Sequence, residues 1–258
     1  MNPEKVRLLL EQVAGGQTSV ADAVAALRSL PYEQMTDATI DHHRALRQGC
    51  PEVIYAEQKT DEQVLAITAA ILESGQNVLA TRVMPSAAHS LIDRYPEAQY
   101  SEKASTVRIE RNAIHRREVD PVAVISAGTS DTPVAEEAVE TLEAVGIPVQ
   151  RVYDVGVAGL HRLLGRTDTL QSASVVIVVA GMEGALPSVV GGLVARPVIA
   201  VPTAVGYGAA LGGFAALMGM LSSCASGVVV VNIDNGFGAA MAAHRILLGA
   251  PPAETDTP

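Results

Sequence analysis

Beyond Pro121 the chain alternates short β-branched runs with amphipathic stretches, and this alternation constrains the fold more than any other feature. Residues 122–126, 148–153, 175–180, 197–201 and 227–231 read as strands, while 133–145, 157–170, 186–195, 211–221 and 236–248 read as helices. The strand segments are apolar on both faces, so both faces have to be covered. Five such repeats predict an α/β domain, a five-stranded parallel sheet in a three-layer sandwich. Ligands of such sheets bind beyond the carboxyl ends of the strands. The candidate site is therefore the set of polar and small residues that follow each strand. The first strand ends in Ser126 and a turn with Gly128, Ser130 and Asp131, whose amides and hydroxyls suit a phosphate. The second leads to Asp154, with His161 and Arg162 in the helix beyond, the third to Gly181 and Glu183, the fourth to Thr203 and the fifth to Asn232 and Asp234. The glycine spacing of a dinucleotide fingerprint is missing from the first turn.

From Arg196 to Asp234 no charged side chain or histidine intervenes. A run of that kind raises the question of a membrane span. Pro202 and the strand-like pieces cut it, and its longest helical stretch, 209–221, falls short of the roughly 20 apolar residues a span needs. Its glycines and small hydroxyls instead suit a dry, backbone-lined cavity with close approach between chains of the fold.

Ahead of Pro121 the text differs. Residues 3–14 form an amphipathic helix stopped by Gly15 and Gly16, and Thr18 or Ser19 caps a second helix running to Leu30, before Pro31. Thr60 to Gln63 has the form of a capping box and opens a helix to Ser74; 77–83 and 106–110 read as strands, and Pro85 opens another helix. The domains expected are 1–118, a helical lead-in with a small α+β domain; 119–250, the α/β domain; and a disordered tail, 251–258. Of the 18 lysines and arginines only Arg151, Arg162, Arg166, Arg196 and Arg245 lie beyond Asp120, so the first domain has cations to offer an anionic ligand. Arg44, Arg47 and Lys59, in the segment DHHRALRQGCPEVIYAEQKT, are the candidates; an ordinary solvated charged segment is the competing reading. His42 and His43 lack metal-ligand spacing.

A formal charge of −10 argues against a nucleic-acid partner. The opening MNPEKVRLLL has no signal-peptide pattern, so a cytoplasmic protein with reduced Cys50 and Cys224 is expected.

The turn SAGTSD, the segment AGMEGALPSVVGGLVARPVIAVPT and the five-strand layout resemble the aminoimidazole ribonucleotide carboxylase and mutase family, PurE. Across residues 1–248 the chain resembles LarB more specifically, through DHHRALRQGCPEVIYAEQKT, VYDVGVAGLHRLL and SSCASGVVVVNIDNGFGAA. In PurE enzymes the His-Arg motif directly follows the second strand, whereas His161-Arg162 is displaced into the helix, which weakens a purine role. The LarB resemblance implies carboxylation of the pyridinium ring of nicotinate adenine dinucleotide by CO2 or bicarbonate, with hydrolysis of its phosphoanhydride, to pyridinium-3,5-biscarboxylate mononucleotide and AMP. It implies Cys224 as a nucleophile that adds to the ring, without an organic cofactor; as a residue alone, Cys224 reads as an inert core thiol, and Cys50 has no match. Glu183 is the ring-proton base or merely a helix-capping acid; Ser130 and Asp131 are phosphate and ribose contacts, or Asp131 only a cap. Asp154, His161 and Arg162 are expected at the phosphoanhydride, with Mg2+ or another divalent ion. The small-residue, uncharged helix near 209–220, with the octameric PurE relatives, implies a homo-oligomer, an octamer. The competing functions are the purine carboxylase or mutase itself and a non-catalytic nucleotide-binding regulator.

Overall fold

The computed structural model describes residues 3–28, 33–34 and 39–249. It divides into two compact units, Met1–Ala113 and Ile114–Pro258. The expected tail, 251–258, and the expected end of the second helix at Leu30 lie outside the described residues.

The first unit opens with α1 (Pro3–Ala14) and α2 (Val20–Arg28). Ser19 is the cap of α2, its Oγ accepting the Asp22 amide at 3.0 Å. β1 (Glu33–Gln34) and β2 (Thr39–Ile40) pair antiparallel, and α3 (Arg44–Gln48) follows. The rest is β3 (Val53–Tyr55), α4 (Asp61–Glu73), β4 (Val78–Thr81), α5 (Pro85–Arg94), β5 (Gln99–Ser101) and β6 (Thr106–Ile109). They form a mixed sheet in the order β3-β4-β6-β5, with β3 and β4 parallel and the other pairs antiparallel. The α+β reading therefore holds. The capping box starts α4, Thr60 accepting from Gln63 N and the Gln63 side chain from Thr60 N. α4 and α5 cover the sheet with Val64, Ile71 and Leu91 against Ile54, Val107 and Ile109. The sequence reading missed β1, β2, α3, β3 and β5, short elements where periodicity has too few residues to show.

The second unit is built on β7 (Val122–Ser126), β8 (Val149–Val152), β9 (Val176–Ala180), β10 (Val198–Pro202) and β11 (Val228–Val230). All are parallel, in the order β11-β10-β9-β7-β8. Strand alternation sorts the core into two layers. Val122, Val124, Ile177, Val179, Ile199 and Val201 face α6 (Thr132–Ala144) and α11 (Gly236–Leu248). Ala123, Ile125, Val176, Val178, Val198 and Ala200 face the opposite layer, formed by α7 (Leu160–Leu164), α8 (Thr167–Gln171), α9 (Leu186–Gly191) and α10 (Phe214–Leu221). Cutting one of the fully buried isoleucines, such as Ile177, to alanine costs about 2–5 kcal/mol.

Two predicted helices are broken. The 157–170 segment becomes a 3-10 turn (Val157–Gly159) followed by α7 and α8, because α7 stops at Gly165. The predicted 211–221 helix starts only at Phe214: Leu211, Gly212 and Gly213 take φ of 48°, 62° and 92°, a left-handed run no α-helix contains. Among the described residues no helix is long and apolar enough to cross a membrane.

Candidate active site

From β7 the chain passes sideways to β8 on one flank, and from β9 it continues to β10 and β11 on the other. The order therefore reverses between β7 and β9, and the loops leaving these two strands part there to open a crevice. A cavity of about 390 Å³ occupies it, within the range of small-molecule sites. It is lined by the turn after β7 (Ala127 to Asp131), by Asp154, Gly156 and Arg162 after β8, by the loop after β9 (Gly181 to Glu183) and by Val205.

The floor is made by Asp131. It is 3% exposed, yet both carboxylate oxygens are engaged: Oδ2 accepts the Gly128 amide at 2.9 Å and Oδ1 accepts the Thr203 hydroxyl at 2.7 Å. Burial pushes its pKa above the usual value, against the lowering effect of Thr203 and the Gly128 and Gly181 amides; the negative charge of Asp234 adds to the rise. This one side chain thereby ties together the loops after β7, β9 and β10. Gly181 is indispensable here, since a Cβ at that position would lie 2.3 Å from the Val205 carbonyl oxygen and 2.7 Å from Thr203 Oγ1. Met182, next in the chain, donates its amide to Val205 O at 2.8 Å.

At the rim, Arg162 Nη1 lies 2.6 Å from Asp154 Oδ2. Glu183 lines the cavity but is exposed, whereas the buried carboxylate of the lining is Asp131. Ser130 is an exposed part of the lining.

The cavity thus brings together Gly128, Ser130, Asp131, Asp154, Arg162, Gly181 and Glu183. Other expected residues lie outside its lining. Ser126 is buried behind it, accepting the Asp154 amide through Oγ at 3.4 Å. His161 is not part of the lining, although it neighbours Arg162 on the short α7. Asn232 accepts from its neighbour's amide, Ile233 N, and Asp234 Oδ1 accepts the Ala204 amide at 2.9 Å, so both shape the loops after β10 and β11. Cys224 is a free, exposed thiol in the loop from α10 to β11. That loop delivers the chain to the amino end of β11, where Gly227 O accepts the Val198 amide, and Cys224 is not part of the lining. Thr203, noted in the sequence only as a strand-end residue, proves to be the partner of Asp131; nothing local signals a hydrogen bond between residues 72 apart.

Two of the first unit's three candidates are paired with carboxylates. Arg47 pairs with Asp41, and it holds that carboxyl below its usual pKa; Arg44 lies 3.8 Å from Glu52. Lys59 is half-buried, its amide bonded to Ala56 O. Cys50 is buried. A protein-built metal cage does not fit: among the described residues no three His, Cys, Asp or Glu come together to hold an ion.

Two family models match the chain in sequence. A LarB/PurE-like N-terminal domain matches residues 32–111 and AIR carboxylase matches residues 121–254. An uncharacterized protein of Methanocaldococcus jannaschii is 37% identical over 253 residues, 94% of this chain and 97% of that protein. The N5-carboxyaminoimidazole ribonucleotide mutase of the same organism is 35% identical over 130 residues, 49% of this chain and 78% of the mutase. The cavity lies in the part of the chain matched by the carboxylase model. With both domains present and in this order, the chain belongs to the LarB family, a carboxylase-type family with a PurE-like second domain.

Proposed function

We propose that the protein carboxylates the pyridinium ring of nicotinate adenine dinucleotide with CO2 or bicarbonate and hydrolyses its phosphoanhydride, giving pyridinium-3,5-biscarboxylate mononucleotide and AMP. The observation that carries the reading is the pairing of the LarB-type first domain with a PurE-like sheet whose switch point opens into a crevice of about 390 Å³. In the turn after β7, the Gly128 amide is spent on Asp131, the Asp131 amide on Gly128 O and the Thr132 amide on Thr129 O. As the first amides of a 3-10 turn, those of Thr129 and Ser130 are placed to bind phosphate oxygens, with the Arg162 guanidinium also in the lining.

A pyridinium ring is electron-poor and does not attack CO2. Addition of the Cys224 thiolate to the carbon opposite the ring nitrogen makes an enamine-like dihydropyridine, whose neighbouring carbon is nucleophilic and bonds to CO2. Glu183 then takes the proton from that carbon and the C–S electron pair leaves with sulfur, restoring the aromatic ring without a redox partner. Water cleaves the phosphoanhydride. A divalent ion enters only as a partner of the substrate's phosphates, and no step depends on it.

Cys224 lies outside the cavity of its own chain, so the reading needs a second copy to bring the thiol and a ring together. Phe214, Met218 and Leu221 recur at helical spacing on α10, just ahead of it, and are exposed, as is Leu211 in the turn before the helix. A continuous apolar stripe of this kind suits a homo-oligomer contact, and light scattering of the intact protein reads it directly. A second reading, turnover of aminoimidazole ribonucleotide, is favoured by the similarity to the mutase and needs no thiol. Cys224→Ser separates the two. On the first reading the variant binds the dinucleotide and forms no carboxylated product; retained carboxylation rejects the nucleophile, and turnover of aminoimidazole ribonucleotide by the unaltered protein selects the second.

A further inference from the structure

Arg162 is the single cationic side chain among the residues that line the cavity, and it is already engaged. Its Nη1 contacts Asp154 Oδ2 at 2.6 Å. The local chain is shaped to allow this. A Cβ on Gly159 would sit 2.7 Å from Arg162 Nε and 3.3 Å from Cζ, so the guanidinium folds back over the space a side chain would fill. Asp154 takes a left-handed φ of 58° and is fixed to the end of β7 through its amide and Ser126 Oγ. Both partners nevertheless face solvent, their side chains being 38% and 55% exposed. A partly exposed pair of this kind is held weakly, whereas a phosphate offers the guanidinium a bidentate, charge-assisted contact.

We propose that Asp154 is a competitor for the cavity's anion subsite: it holds Arg162 and yields it to a phosphate-bearing ligand. The carboxylate sets a threshold. A singly charged carboxylate gains no more from Arg162 than Asp154 already supplies, but a phosphate or pyrophosphate gains a second charge and a fork-shaped contact, and it draws on the Thr129 and Ser130 amides besides. Asp154 is then a specificity-determining residue that selects for phosphate esters without touching them once bound. The inference rests on the cavity's holding the substrate's phosphates, and it is independent of the reaction carried out there.

The test is calorimetric titration of the full chain with inorganic pyrophosphate and, separately, acetate, with no turnover involved. Asp154→Asn is expected to bind pyrophosphate about fivefold more tightly than the unaltered protein, since a surface charge pair no longer has to be broken. Gly159→Ala, whose methyl pushes the guanidinium off Asp154, is expected to shift affinity in the same direction, and Arg162→Ala to lose the binding. Acetate is expected to gain in relative terms in Asp154→Asn. Unchanged or weaker pyrophosphate binding in Asp154→Asn or in Gly159→Ala overturns the proposal, because Asp154 would then support the ligand or be irrelevant to it. Failure of ring carboxylation leaves these titrations unaffected, so the two ideas fall separately.

Discussion

The floor and the rim of the cavity use the same chemical group in opposite ways. On the floor, Asp131 is buried and its two oxygens are held by a hydroxyl and backbone amides from separate loops. On the rim, Asp154 and Glu183 are exposed, and the one rim contact of note, Asp154 to Arg162, is part-exposed on both sides. A buried carboxylate is expensive to leave unpaired, so the floor is pre-formed and has one arrangement. An exposed pair is cheap to exchange, so the rim can change partners when a ligand arrives. The floor supplies shape and the rim supplies chemistry.

The comparison breaks most visibly at Gly181. In Gly181→Ala the new methyl meets the Val205 carbonyl and the Thr203 hydroxyl, both part of the fixed floor, and a stability loss of about 3 kcal/mol in urea unfolding is expected. Thr203→Val removes a donor from a buried carboxylate and is expected to cost about 1–3 kcal/mol, with Thr203→Ser restoring most of it. A null effect of Thr203→Val would mean that the floor is not held by Asp131. The pH dependence sharpens the same point. Burial raises the folded pKa of Asp131 above its unfolded value, so its contribution to stability is fully present below the ordinary aspartate pKa near 3.9 and is lost as pH rises through the folded pKa. Relative to Asp131→Asn, the unaltered protein is expected to lose stability over that window, and a gain with rising pH would show the hydrogen bonds outweighing burial. The smallest effect on stability is expected at the rim. Glu183→Gln changes unfolding by no more than about 0.5 kcal/mol while lowering carboxylation about 100-fold or more, measured as product formed per enzyme.

Much of the sheet was legible because its strands are read by composition alone: VAVIS, VIVVA and VIAVP are apolar at every position but the closing Ser126, as strands covered on both faces must be. The helix 236–248 was legible at both ends, with Asn235 as its cap and Gly249 after it. Conformations that depend on distant contacts were not. The left-handed run at Leu211 to Gly213 delays α10, and Gly213 packs where a Cβ would strike the Thr203 carbonyl at the preceding strand end. The charges of Arg44 and Arg47 looked available in the sequence and are met by Glu52 and Asp41 from across the local fold. The strand-end rule located the cavity and gathered Gly128, Ser130, Asp131, Asp154, Arg162, Gly181 and Glu183, but it could not say which acid is buried. Position after a strand decides proximity to the crevice, whereas burial is decided by which loop folds over it.

The most direct test of the account is to incubate the protein with nicotinate adenine dinucleotide and isotope-labelled bicarbonate and weigh the products. A mononucleotide carrying one additional labelled carboxylate, formed together with an equal amount of AMP, is the predicted result. Dinucleotide recovered intact and unlabelled, by a protein that converts aminoimidazole ribonucleotide under the same conditions, would contradict it.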